Sequence, residues 1–226
     1  MSDLVRIWVV PVDAPAECDG ILDENDRARA AAFLDERDRQ RFTTAHGALR
    51  ILAGRELGVA PEKLTWTPGR YGKPELVAPW SGLHTSLSHS GDLIAVAIST
   101  GRPVGVDIQG LAAGADVVGL AERFFPPDES AYVAAGRDAA TRANRFARLW
   151  VRKEAVVKAA GSRLWPNLTI AVRDREVVTC ADPAGSHRVA DIAAPAGFRA
   201  AVALAGPAPF TAEALAWSGD LAAEQP

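Results

Sequence analysis

A two-lobed α+β fold is the architecture this 226-residue sequence predicts. Three observations lead there. Apolar segments of strand character alternate with Ala-, Arg- and Asp-rich helical stretches. The order strand, helices, strand, strand is followed by strand, helices and three more strands. The turn Gly101-Arg102-Pro103 divides the chain close to its middle. A chain of this length suits one large domain or two small packed halves, here residues 1–102 and 103–226.

The elements follow in order. Leu4 to Val12 is rich in Val, Ile and Trp and ends near prolines, which predicts a first strand. Glu24 to Gly58 is helical in pattern, with apolar positions at Phe33, Leu34, Phe42, Leu49, Leu52 and Leu57. Leu64-Thr65-Trp66 suggests a short strand, and the loop Thr67 to Pro74 is forced to turn by its glycines and prolines, holding Lys73 on a stiff corner. Leu83 to Ser90 and Leu93 to Ile98 read as a hairpin about Gly91-Asp92, with Val104 to Gln109 as the next strand. Asp116 to Ala135 predicts two helices about an Arg-Phe-Phe-Pro-Pro turn, and Thr141 to Gly161 a long helix closed by glycine. Leu168 to Val172, Glu176 to Cys180 and Phe198 to Leu204 read as strands, and Ala205 to Pro226 as peripheral.

Composition excludes several classes. Hydrophobic residues make up 48% and charged residues 23%, enough for a core and not the signature of disorder. A net charge of −3 argues against a protein that coats nucleic acid. Cys18 and Cys180 are the only cysteines and lack metal or disulfide spacing, which predicts reduced thiols and a cytoplasmic setting. The N-terminus does not have the pattern of a signal peptide, and no apolar run approaches the roughly eighteen residues of a membrane span.

The chemistry concentrates in two segments. In Leu149-Trp150-Val151-Arg152-Lys153-Glu154-Ala155-Val156-Val157-Lys158, helical spacing puts Trp150, Glu154 and Lys158 on one face. In Val104-Gly105-Val106-Asp107-Ile108-Gln109, an apolar strand carries Asp107 and Gln109 on the same side. Two carboxylates and an amide oxygen, completed by water and ligand phosphates, suit Mg²⁺. Lys73, His89 and Lys158 are then free to meet phosphate oxygens. The plain alternative is a surface Glu154–Lys158 pair worth about 0.2–0.5 kcal/mol, and a merely structural His89. His46, His84 and His187 show no metal spacing.

Four blocks together carry a family resemblance: Tyr71-Gly72-Lys73-Pro74-Glu75-Leu76, Ser86-Leu87-Ser88-His89-Ser90, Val104-Gly105-Val106-Asp107-Ile108, and Leu149 to Ala155 with Lys158. Their order and spacing, with Arg123-Phe124-Phe125 between them, resemble the 4′-phosphopantetheinyl transferases of the surfactin-synthetase-activating (Sfp) type, from about residue 20 to about residue 172. The resemblance implies a pseudo-dimer of two similar α+β halves, with coenzyme A in the cleft between them. The N-terminal half would carry the coenzyme A motifs and the C-terminal half the Mg²⁺ and catalytic ones. A serine of an acyl or peptidyl carrier protein would attack the β-phosphorus, and adenosine 3′,5′-bisphosphate would leave. Asp107 and Glu154 match metal ligands, and Glu154 also matches the residue that deprotonates the serine. Lys158 would neutralise the pyrophosphate and the leaving group. Lys73, Pro74, Ser88 and His89 would hold coenzyme A, and Arg29 and Arg41 fall near positions that bind its 3′-phosphate. Since one chain supplies both halves, a monomer is expected.

Gln109 departs from the pattern, standing where most relatives carry a third acidic ligand, and a neutral amide predicts weaker Mg²⁺ binding. A silent module that docks carriers or coenzyme A without turnover is the competing expectation it raises. The sequence does not choose among carriers of fatty acid, polyketide, nonribosomal peptide or siderophore assembly.

Overall fold

The computed structural model describes residues 3–14, 17–112 and 114–217. Among the described residues, ten strands and six α-helices are arranged in two four-stranded sheets, a small two-stranded ribbon and helices on the outer faces, a mixed α+β architecture. The elements run β1 (Asp3–Pro11), α1 (Glu17–Gly20), α2 (Glu24–Ala31), α3 (Glu36–Leu57), β2 (Trp66–Pro68), β3 (Pro74–Leu76), β4 (His84–Ser90), β5 (Leu93–Ser99) and β6 (Val104–Gly110). They continue as α4 (Val117–Phe124), α5 (Pro127–Ala134), α6 (Ala139–Ala160), β7 (Val177–Ala181), β8 (Ala184–Ile192), β9 (Phe198–Ala205) and β10 (Phe210–Ala216).

Strand alternation builds the layers. Trp8, Val10, Ile94, Val96 and Ile98 pack against Ala45, Ala48, Leu49 and Leu52 of α3. The opposite face of the same strands, Val5, Ile7, Ala95 and Ala97, meets Val104, Val106, Ile108, Ala200, Val202 and Leu204 of the second sheet. Ala201 and Ala203 point the other way, into the core beneath Leu149, Val151, Ala155 and Ala159 of α6. The sheets therefore lie face to face between two long helices. Burial on both faces is why these strands read as continuous apolar runs.

The two long helices have the same termini. α3 starts at Asp35, whose carboxylate accepts from Arg37 N and Asp38 N, and ends at Gly58 with φ 64°. α6 starts at Asp138, which accepts from Thr141 N, and ends at Gly161 with φ 60°. Both are side-chain N-caps followed by left-handed glycine stops.

The predicted hairpin of β4 and β5 forms, but β6 does not extend it: β6 pairs with β9 at the edge of the second sheet. Its other edge is satisfied by side chains. Ser86 Oγ accepts from Val106 N and Ser90 Oγ from Gly110 N, both at 3.0 Å, while Lys73 Nζ donates to Val104 O at 2.8 Å and Lys158 Nζ to Val106 O at 3.2 Å. An edge that would otherwise invite another strand is closed by the residues the sequence singled out.

Three expectations are corrected. Leu168 to Val172 is not a strand. Its backbone is held by side chains: Val172 N donates to Glu129 Oε1, Lys153 Nζ donates to Ile170 O, and Arg152 Nε donates to Val172 O. β8 was not anticipated, because Ala-Gly-Ser-His-Arg-Val-Ala-Asp-Ile has few β-branched residues. The segment after Ala205 is not peripheral as far as described: β10 pairs in parallel with β1, so this strand of the second half completes the first sheet. The tail beyond residue 217 lies outside the described residues.

Gly105 fixes how closely α6 lies on β6. A Cβ there would sit 2.0 Å from Ala155 O and 2.4 Å from Ala159 N, backbone atoms that no rotamer change can move. Gly105→Ala is expected to destabilise the fold by about 3 kcal/mol, the upper end for overpacking, as measured by denaturant unfolding.

Candidate active site

Every residue of α6 from Val151 to Ala159 is buried except Glu154 and Lys158. The i,i+4 ion pair that helical spacing permits is not among the described salt bridges. Lys158 Nζ instead reaches across to Asp107 Oδ1 at 2.7 Å. Ser88 Oγ donates to the same oxygen at 2.6 Å. Asp107 is thus buried between a hydroxyl and an ammonium.

Glu154 has neither a hydrogen bond nor an ion pair among the described residues. Burial pushes its carboxyl up to about 7, with the Asp107 carboxylate adding to the effect and the Lys158 ammonium opposing it. A half-buried carboxylate left without a protein donor can take a proton or face a cation.

A cavity of about 340 Å³ begins beside Lys158 and Gly161 and is lined by Ser86, Lys73, Pro74 and Arg29. A smaller one of about 120 Å³ shares Arg29 and Pro74 and extends past Asp26, Arg50 and Trp66. Burial lowers the Lys73 ammonium to about 8, against the pull of Glu75. Arg29 has its guanidinium over the Phe42 ring at 4.8 Å.

Arg41 lies elsewhere. It pairs with Asp38 at 2.7 Å and donates from Nε to Gly91 O at 3.3 Å, beside the turn joining β4 and β5. His89 lies on the face of β4 opposite Ser88. It is exposed as a residue, yet lost hydration and the cations Arg41 and Lys158 hold its imidazole below the ordinary histidine value. The residues expected to act together therefore divide. Asp107, Glu154, Lys158 and Ser88 meet at one point, Lys73, Pro74 and Arg29 line the cavity leading from it, and Arg41 flanks His89 outside that cavity. Gln109 shares the Asp107 face of β6, with its amide nitrogen donating to Gly110 O at 3.1 Å.

Among the described residues no cluster of three or more His, Cys, Asp or Glu could hold a metal, so a self-sufficient protein cage is not what the fold provides. Two carboxylates on facing elements, one with no partner among the described residues, do fit a hard cation that keeps water and takes phosphate oxygens from its substrate. Asp107 and Glu154 would hold it, with Gln109 beside them.

Sequence reasoning missed the supports. Lys153 and Glu129 are both 0% exposed, with Nζ 2.6 Å from Oε2 in a charge contact that is not an aligned hydrogen bond. Arg50, also buried, donates to Leu64 O at 2.9 Å and pairs with Asp26 at 3.1 Å. The alternation Ser86, Ser88, Ser90 was a legible signal for one polar strand face, whereas nothing local marks Lys153 as buried.

Comparison with known proteins gives the family. Residues 103–211 match the family model described as the 4′-phosphopantetheinyl transferase superfamily. The Synechocystis protein slr0495, provisionally named a 4′-phosphopantetheinyl transferase, is 34% identical over 76% of this chain and 71% of its own length. The 4′-phosphopantetheinyl transferase HetI of Nostoc is 35% identical over 71% and 70%, and that of Bacillus subtilis 31% identical over 71% and 72%. The chain belongs to the 4′-phosphopantetheinyl transferase superfamily.

Proposed function

We propose that this transferase moves the 4′-phosphopantetheine group of coenzyme A to a serine of an acyl or peptidyl carrier protein, in a Mg²⁺-dependent reaction that releases adenosine 3′,5′-bisphosphate. The observation that carries the reading is Glu154: a carboxylate that no described residue bonds, its pKa raised to about 7, beside Asp107 and Lys158. Mg²⁺, held by Asp107 and Glu154, would supply a Lewis acid for the pyrophosphate. Glu154 would take the serine proton, directly or through water. Lys158 would turn from Asp107 toward the phosphate oxygens as charge develops on the leaving group. Lys73, Pro74 and Arg29 would bind coenzyme A along the cavity, with Ser88 at its reacting end, and His89 would meet the ligand from outside that cavity, on the opposite face of β4. Arg41 keeps a place in the reading through its position beside His89.

The matched caps of α3 and α6 and the two facing sheets support a pseudo-dimer of halves 1–102 and 103–226, with β10 returned to the first half. The reading includes a monomer working in the cytoplasm; no helix among the described residues is long and apolar enough to cross a membrane.

The test is the mass of an apo carrier protein after incubation with this protein, coenzyme A and Mg²⁺. A panel of carriers from fatty acid, polyketide, peptide and siderophore assembly should include at least one that gains the phosphopantetheine mass, and no gain on any would overturn the reading. Gln109→Glu adds a charged donor on the Asp107 face and is expected to lower the Mg²⁺ concentration for half-maximal transfer by about tenfold. Activity appearing only in that variant would instead favour the silent docking module.

A further inference from the structure

The loop that delivers Lys73 is tied to the other half of the molecule at a place outside every sequence block. Tyr71 Oη donates to Asp182 Oδ2 at 3.3 Å, and Arg70 Nη1 stands 3.5 Å from Asp182 Oδ1. The Tyr71 ring has the Arg70 and Arg163 guanidinium groups at 4.8 and 4.7 Å from its centre. Asp182 is itself fixed, since its backbone carbonyl accepts from Ser162 Oγ, which in turn accepts from Asn167 Nδ2 at 2.9 Å. Tyr71 is the only non-glycine residue with positive φ among the described residues, at 63°. An aromatic side chain rarely adopts that backbone, and it persists where surrounding contacts over-determine it. Arg70, Tyr71, Lys73 and Ser162 all line the 340 Å³ cavity.

An exposed Arg–Asp pair alone carries little weight. Here the pair, a hydroxyl donor, two cation–π contacts and a strained backbone converge on one segment. We infer that residues 70–73 form a strap docked across the mouth of the cleft by Asp182 and Arg163, and that these two positioning residues set how tightly the cleft holds coenzyme A. The inference rests on coenzyme A as the ligand of this cavity. Neither residue touches the Asp107–Glu154–Lys158 cluster, so the strap should govern binding and leave the chemical step alone.

The experiment combines two readouts on wild type, Asp182→Ala, Asp182→Asn and Arg163→Ala. Calorimetric titration with coenzyme A should show a Kd about fivefold to tenfold weaker in Asp182→Ala, a partial effect in Asp182→Asn, which keeps an acceptor for Tyr71, and a weakening in Arg163→Ala. The KM for coenzyme A should follow, with kcat within about twofold of wild type. Trypsin supplies the readout independent of ligand: it cleaves after Arg70 but not at Lys73-Pro74, and cleavage after Arg70 should accelerate in Asp182→Ala without coenzyme A. Unchanged cleavage overturns the strap, and faster cleavage with unchanged Kd overturns its role in binding. A wild-type protein that binds no coenzyme A overturns the functional reading itself, and this inference with it.

Discussion

Glu154→Gln is expected to lower kcat for carrier modification by about 10³-fold, within the range for a positioned general base, while the protein stays folded. The substitution preserves shape and removes the one carboxylate in the α6 face that no described side chain holds. Glutamine can neither take the serine proton nor offer charge to a cation. The stability measurement separates this loss from misfolding, and its sign can be worked out. In the metal-free protein the folded-state pKa of Glu154 is about 7, above its ordinary 4.5. Folding therefore favours the protonated form, and this contribution is lost as pH rises through the interval between those values. With a chelator present, wild type should lose stability across that interval, and Glu154→Gln should show a flatter profile and be the more stable of the two above pH 7. Added Mg²⁺ should raise the melting temperature of wild type and have little effect on the variant. A Glu154→Gln enzyme with near wild-type turnover would remove Glu154 from the mechanism.

Much of this site could be read from the chain because its signals are local. Asp107 interrupts a run of Val, Gly and Ile, and Glu154 and Lys158 recur at helical spacing beside residues that must pack. The glycine that closes α6 and the β4–β5 turn were equally visible, since they depend on neighbours within a few residues, whereas the Asp138 cap that starts the helix was not read. What stayed hidden depends on partners far along the chain. β10 reads as a weak, small-residue segment, and its place beside β1 is fixed by pairing across some two hundred residues of sequence. The stretch Leu168 to Val172 has the apolar content of a strand, yet its backbone groups bond to Glu129, Arg152 and Lys153. Gly105 carried no local signal, because the need for a missing Cβ comes from the helix that lies above it. Arg29 and Arg41 look alike in sequence, and only the fold separates one into the cavity and the other beside His89.

Lys153→Met is the second large effect expected, and it bears on why Glu154 points where it does. Lys153 is fully buried, in contact with Glu129 Oε2, a donor to Ile170 O, and 4.7 Å above the Phe125 ring. Glu129 Oε1 also accepts from Val172 N and Arg173 N, at 2.5 and 2.8 Å. Burial lowers the Lys153 pKa and Glu129 opposes that shift, so each charge depends on the other. Removing the cation leaves a carboxylate at 0% exposure with only two backbone donors, a loss of about 3–5 kcal/mol and a fall in melting temperature of about 10 °C. Glu129→Gln combined with Lys153→Met removes both charges and retains an acceptor for Val172 N and Arg173 N, and it should recover most of the stability. Additive losses in that double-mutant cycle would show that the pair is not coupled. Lys153 fastens one side of α6 to the segment before β7, and Gly105 lets the other side rest on β6. Between those two constraints the helix has one azimuth, and on it Glu154 and Lys158 are the residues turned toward Asp107.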